Sequence, residues 1–167
     1  MMKNLSTITL REIRPEDFPT ILKWSRDETF CLVNGWTYNQ EEQKLFERWE
    51  RLINNASDRF LRWGIDMDGF LIGYIDLVLF TPQAAEIGIA LGNSRIWGKG
   101  FGTRALKLAM DQAGIKYGIQ TFYAETHLPN IRSRRMLEKL GFEEISRKGT
   151  DLFMGKETTL IQYKRSV

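Results

Sequence analysis

The chain has 167 residues, 43% hydrophobic and 27% charged, which suits a globular fold with a sizeable core and argues against disorder. The balance of 24 basic against 21 acidic residues, a net charge of +3, argues against a nucleic-acid binder built on charge. No apolar run reaches membrane-spanning length, and one cysteine (Cys31) with one histidine (His127) argues against disulfides and structural zinc.

In chain order, Met1–Ser6 lacks the apolar stretch of a signal peptide, so a cytoplasmic location is expected. Thr7 to Ile13 alternates as a strand. Pro15-Glu16-Asp17 opens a helix whose inner face is Phe18, Ile21, Leu22 and Ser25. Asn39 with Glu42 reads as a helix cap pair. The helix after it carries Leu45, Trp49, Leu52 and Ile53 on one side. Leu61, Trp63, Ile65 and Met67 alternate, Asp68-Gly69 makes a hairpin turn, and Phe70 to Leu79 is the return strand. Pro82 ends it, and Ala84 to Leu91 is another strand.

Trp97-Gly98-Lys99-Gly100-Phe101-Gly102-Thr103 then precedes a helix with Leu106, Ala109, Met110 and Ala113 inside and Gly114 as its stop. Gln120 to Thr126 is a strand, and Asn130 caps a helix ending at Gly141. Phe142 to Arg147 and Thr158 to Lys164 are the last strands, with Gly155 in the turn. No linker or repeat divides the chain, so one domain over 1–167 is expected. The element order β-α-α-β-β-β-α-β-α-β-β gives an α+β fold, mostly antiparallel, with a parallel crossover around the glycine loop.

The glycine loop carries the first chemical signal. Glycines ahead of a helix leave free N–H groups at the positive end of the helix dipole, a site for phosphate. The spacing Gly98-x-Gly100-x-Gly102 fails the dinucleotide fingerprint, and Thr103 without a preceding lysine fails the P-loop. The second signal is Asn130 to Phe142. Asn130 suits a cap, and Arg132, Arg135 and Lys139 share one helix face.

Together these stretches resemble the GNAT superfamily of acetyl-CoA-dependent N-acetyltransferases. The superfamily's loop has the form Arg/Gln-x-x-Gly-x-Gly/Ala, matched by Trp97 to Gly102 with tryptophan in the first place. Its second motif, Asn-x-x-Ser/Ala and then Glu-Lys-x-Gly-Phe, is matched by Asn130, Ser133 and Glu138 to Phe142. The Trp-Gly-Lys-Gly-aromatic run is similar to the ribosomal-protein alanine N-acetyltransferase (RimJ/RimL-like) branch. Leu91-Gly92-Asn93-Ser94 ahead of the loop also resembles aminoglycoside 6′-acetyltransferases.

The resemblance implies a fold of about seven strands and about four helices, with the fourth and fifth strands parallel and splayed around acetyl-CoA. It implies direct attack of a primary amine on the thioester, with no metal. The acceptor would be a protein N-terminal amine or a small polyamine-like molecule. An aminoglycoside, or acyl-CoA sensing without turnover, is the alternative. It places the catalytic base at Glu86, with Glu125 and Asp76 as rivals. Pantetheine contacts fall to the main chain of Ile89 and Leu91, and further acetyl-CoA contacts to Trp97, Gly98, Lys99, Gly100, Phe101, Gly102, Thr103, Asn130, Ser133 and Arg135. Lys99 and Arg104 could add charge to the phosphates.

Many relatives place an acidic tyrosine where this chain has Leu137, so Ser133, Tyr123 or a water would substitute. His127 could relay protons, while Cys31 reads as an idle thiol. The acceptor pocket would include Trp36, with Asp27 and Glu28 attracting a cation. A monomer or homodimer is expected.

Overall fold

The computed structural model describes residues 5–54 and 57–167; Met1–Asn4, part of the stretch read as lacking a leader, lie outside the described residues. Among the described residues, eight strands form one open sheet, β1 (Ile8–Arg11), β2 (Phe60–Met67), β3 (Phe70–Thr81), β4 (Ala84–Leu91), β5 (Thr121–His127), β6 (Glu143–Ser146), β7 (Thr150–Phe153) and β8 (Lys156–Ser166). The spatial order is β1-β2-β3-β4-β5-β8-β6, with β7 paired to β8. Every pairing is antiparallel except β4 with β5. The described residues also form five α-helices, α1 (Phe18–Trp24), α2 (Glu28–Asn34), α3 (Glu42–Asn54), α4 (Phe101–Tyr117) and α5 (Ile131–Lys139).

Two cores cover the two faces of the sheet. Leu106, Ala109, Met110 and Ala113 of α4 pack on Ile75, Ile87, Phe122 and Ile161. On the other face Trp24, Phe30, Leu45 and Trp49 of the first three helices pack on Leu71, Tyr74 and Ala90. Arg11 ties the β1 edge to this layout by bonding Asp17 and Asp66, each at 2.8 Å. The hairpin at Asp68-Gly69 has positive φ at both residues (52° and 92°), as a tight right-twisted turn requires.

Several expected boundaries move. The first strand is shorter than Thr7 to Ile13, and Pro15–Asp17 forms a 3₁₀ turn ahead of α1. The eighth strand is β7, whose four residues pair with β8 across the Met154-Gly155 turn. The fifth helix is α2, started by Asp27, whose side chain accepts the Phe30 N–H, and ended by Gly35 at φ 69°.

Asn39 does not cap α3. It takes φ 54° and donates its N–H to the Ser25 carbonyl. Leu52 is exposed rather than inward. Gly114 does not stop α4; the helix continues to Tyr117, which stacks on Trp63, and Gly118 at φ 70° ends it.

Candidate active site

A cleft opens where β4 and β5 part. Their parallel ladder runs only from Ala84 opposite Thr121 to Glu86 opposite Tyr123. Beyond that point lies a cavity of about 420 Å³, walled by Ile87–Leu91 of β4 and Ala124–His127 of β5. β4 keeps its pairing to β3 as far as Leu91. The main-chain groups of Ile87–Leu91 that point toward β5 therefore meet the cleft instead of a ladder.

The glycine loop closes one end of this cleft, and its three glycines do different work. Gly98 and Gly100 have φ of +75° and +86°, with open space where a Cβ would stand. Both positions are left-handed and suit glycine. Gly102 instead allows close packing, since a Cβ there would lie 3.2 Å from the Met136 sulfur. Gly100 caps α4, so the first amides of that helix are free at the cavity wall. A cradle of free amides and absent side chains fits a pyrophosphate.

Trp97, Gly98, Gly100, Phe101, Gly102 and Thr103 line the cavity, whereas Lys99 does not. The Trp97 indole N–H donates to the Leu91 carbonyl at 2.9 Å, so that acceptor is already engaged. Arg104 is spent elsewhere, on the Ser6 carbonyl at 2.5 Å. The positive charge at the cleft comes from α5, where Arg132, Arg135 and Lys139 all line the cavity. The Asn130 side chain caps this helix by accepting the Ser133 N–H at 3.2 Å. Ser133 lines the cavity, and Leu137 forms part of its buried wall without a proton to give.

The carboxylates sort themselves by partner. Asp76 is locked to Arg62 by two bonds of 2.6 and 2.7 Å, so it is no free base. Glu86 sits at the last β4–β5 pair, half-buried and just outside the cavity lining. Burial, and then the nearby Glu125 charge, push its pKa above the usual carboxylate range. Glu125, on the same sheet face as Tyr123 and His127 by strand alternation, lines the cavity itself. His127 also lines it, held by Asp151 at 3.2 Å and stacked on Phe153 at 5.1 Å.

The acceptor-side residues are placed differently from one another. Trp36 belongs to an aromatic cluster with Trp24, Phe30, Trp49 and Tyr74, and its N–H donates to the Tyr74 hydroxyl at 3.1 Å. Asp27 uses its carboxylate on the Phe30 and Ser94 amides. Burial opposes those bonds but loses, and the pKa of Asp27 is lowered. Glu28 is exposed on α2 and away from the cavity lining. Val33 and Asn34 of α2 reach the cavity instead. The Cys31 thiol is buried, its pKa pushed up to about 11 by desolvation and the Asp27 charge, and it makes no nucleophile.

Sequence reasoning missed α2 and β7, and with them Val33, Asp151 and Phe153. Asp27-Glu28 was a cap signal for the first. The Met154-Gly155 pair was a turn signal for the second. Among the described residues, no cluster of three or more metal-ligating side chains occurs, and no helix is long and apolar enough to cross a membrane.

Comparison with known proteins gives a match over residues 7–143 to the family model described as acetyltransferase (GNAT) domain. The spermidine N(1)-acetyltransferase of Escherichia coli K12 is 26% identical over 145 residues, 84% of this chain and 75% of that protein. The chain spans only 30% of the length of another relative, an uncharacterised protein of Methanocaldococcus jannaschii that is 25% identical over 87% of this chain. Among solved structures, spermidine N-acetyltransferase from Vibrio cholerae, in complex with CoA and spermine, superposes with a TM-score of 0.79 at 19% identity, covering 95% of each chain. RimL, a ribosomal L7/L12 α-N-protein acetyltransferase in complex with CoA, has a TM-score of 0.79 at 15% identity, covering 99% of this chain and 97% of that one.

Proposed function

The chain belongs to the GNAT family of N-acetyltransferases, and we propose that it acetylates a primary amine of a small cationic acceptor, with acetyl-CoA as donor. The parting of β4 from β5 carries this reading. It joins a phosphate cradle at the glycine loop to a pair of carboxylates, Glu86 and Glu125, near the last shared register. The name of the Escherichia coli relative and the spermine bound to the Vibrio cholerae protein support a polyamine-like acceptor.

Acetyl-CoA would supply an activated acyl group, and the residues of this chain do the rest. The free amides of α4, with Gly98 and Gly100, would hold its pyrophosphate, and Arg132 and Arg135 would add charge. Main-chain groups of Ile89 and its neighbours would align the pantetheine and polarise the carbonyl.

An alkylamine with a pKa of about 10.4 must lose a proton before it attacks, at a cost near neutral pH of roughly 4.6 kcal/mol. Glu86 takes that proton. Its raised pKa moves it toward the range a general base needs. Gly88, two residues along β4, lines the cavity, a separation of about 7 Å by strand geometry, so a water carries the proton. Leu137 offers no acid, but Ser133 lines the cavity and its hydroxyl could give a proton, and a thiol pKa of about 8.5 lets sulfur leave with little help.

A protein N-terminal amine is the second reading, favoured by the Trp97–Phe101 sequence and by the RimL likeness. Thiol release from acetyl-CoA across spermidine, cadaverine, N-terminal peptides and aminoglycosides tests the choice. Turnover with the polyamines and not the peptides supports the first reading; the reverse pattern supports the second.

A further inference from the structure

One carboxylate at this cleft is oriented without being neutralised. Gln162 of β8 stands opposite Glu125 of β5. Its Oε1 accepts from the Ser146 hydroxyl at 2.8 Å and from the Lys148 N–H at 2.9 Å. Those two donors settle which way the amide faces. Its Nε2 then donates to the Lys148 carbonyl at 2.8 Å and to Glu125 Oε2 at 2.9 Å. All four hydrogen-bonding positions of the amide are filled, so Gln162 presents a fixed donor to one oxygen of Glu125.

The donor is neutral, so this bond brings no counter-charge to Glu125. Asp76 is spent on Arg62, and Asp151 on His127. Glu86 and Glu125 make no ion pair among the described residues. Lys164, the β8 residue opposite Tyr123, leans instead on the Tyr123 ring at 5.8 Å. A fixed, unneutralised carboxylate in a cavity wall is a receptor for a positive group.

We propose that Glu125, oriented by Gln162, is the specificity-determining residue of the cleft, binding a second ammonium group of the acceptor. The acceptor is then a diamine or polyamine. One amine reacts and gives its proton to Glu86, and the other stays protonated on Glu125. Gln162 is a positioning residue that acts through Glu125. This rests on the acetyl-transfer reading above, but its binding arm can be tested without turnover.

Cadaverine and pentylamine differ in one terminal ammonium and share a chain length. Their kcat/KM ratio, and their calorimetric affinities for the CoA-bound protein, would be measured for wild type, Glu125→Gln, Glu125→Asp and Gln162→Met. Wild type should prefer cadaverine in both readouts. Glu125 is exposed, so Glu125→Gln should cut that preference by about fivefold, the upper range for an exposed ion pair. Glu125→Asp should restore part of it, and Gln162→Met should weaken it in the same direction. An unchanged preference in Glu125→Gln, in turnover and in binding, overturns the proposal. So does an equal fall in kcat for both amines with affinities unmoved. If neither amine releases thiol, acetyl transfer to amines fails, while a cadaverine affinity that depends on Glu125 still supports the ammonium site.

Discussion

The Arg132 guanidinium lies over the ring of Trp97, 3.8 Å from its centroid. The same indole donates its N–H to the Leu91 carbonyl. One side chain therefore ties the glycine loop to β4 and seats a cation from α5 at the cleft. Trp97 occupies the loop position where the family has arginine or glutamine, and here the charge is brought by Arg132. Loss of both contacts in Trp97→Ala should raise the acetyl-CoA Kd about tenfold. An unchanged Kd by calorimetry would show that the loop holds its shape without them.

Gly100→Val should abolish acetyl-CoA binding, because the side chain would project into the open space at the cradle and the position has φ +86°. The backbone strain alone is about 1–3 kcal/mol. Gly118→Val is the control. It sits at φ +70° at the other end of α4, also with open space around it, and is remote from the cavity. Both variants should lose similar stability in urea melts, but the Gly118 variant should still bind acetyl-CoA.

Glu86→Gln should lower turnover most near neutral pH and recover as the pH rises and the amine deprotonates unaided. Stability should move the other way. The Glu86 pKa is raised in the fold, so the native state holds a proton that the unfolded chain has released. Stability therefore falls as pH climbs from the ordinary glutamate value through the raised one. At pH 7 the glutamine variant should melt no lower than wild type. A lower melting temperature would mean that the charged carboxylate is stabilising. Glu125→Gln should shift the acid limb of the pH–rate profile downward, since the Glu125 charge raises the Glu86 pKa.

Asp76→Asn should cost about 3 kcal/mol of stability, because it strands the Arg62 guanidinium against Tyr74 and Trp49 without a counter-charge. The double variant Arg62→Met/Asp76→Leu should recover part of that loss. Denaturant midpoints decide it, and a single variant as stable as wild type would contradict the pairing.

The local signals in the chain were the legible ones. Gly98 to Thr103 and Asn130 to Phe142 announce helix starts by cap chemistry acting within a few residues, and both were located from sequence. Gly114 misled because a glycine inside a helix looks like its end. The helix runs on because Tyr117 gains a stacking partner in Trp63, on a distant strand. β7 escaped because four residues, Thr150–Phe153, carry too little alternation to read as a strand. Glu86 was picked out by resemblance, but its coupling to Glu125 and the Gln162 lock on Glu125 join β4, β5 and β8. Such a relation depends on register, which no local pattern encodes.

One product-resolved measurement tests acetyl transfer at this cleft most directly. Wild-type protein would be incubated with acetyl-CoA and spermidine, with thiol release and the mass of the amine followed together. One thiol per N-acetylated spermidine, reduced near neutral pH in Glu86→Gln, is the predicted result. Tight binding of acetyl-CoA with no thiol released to spermidine or any other amine would contradict it, and would make the cleft a sensor of acyl-CoA.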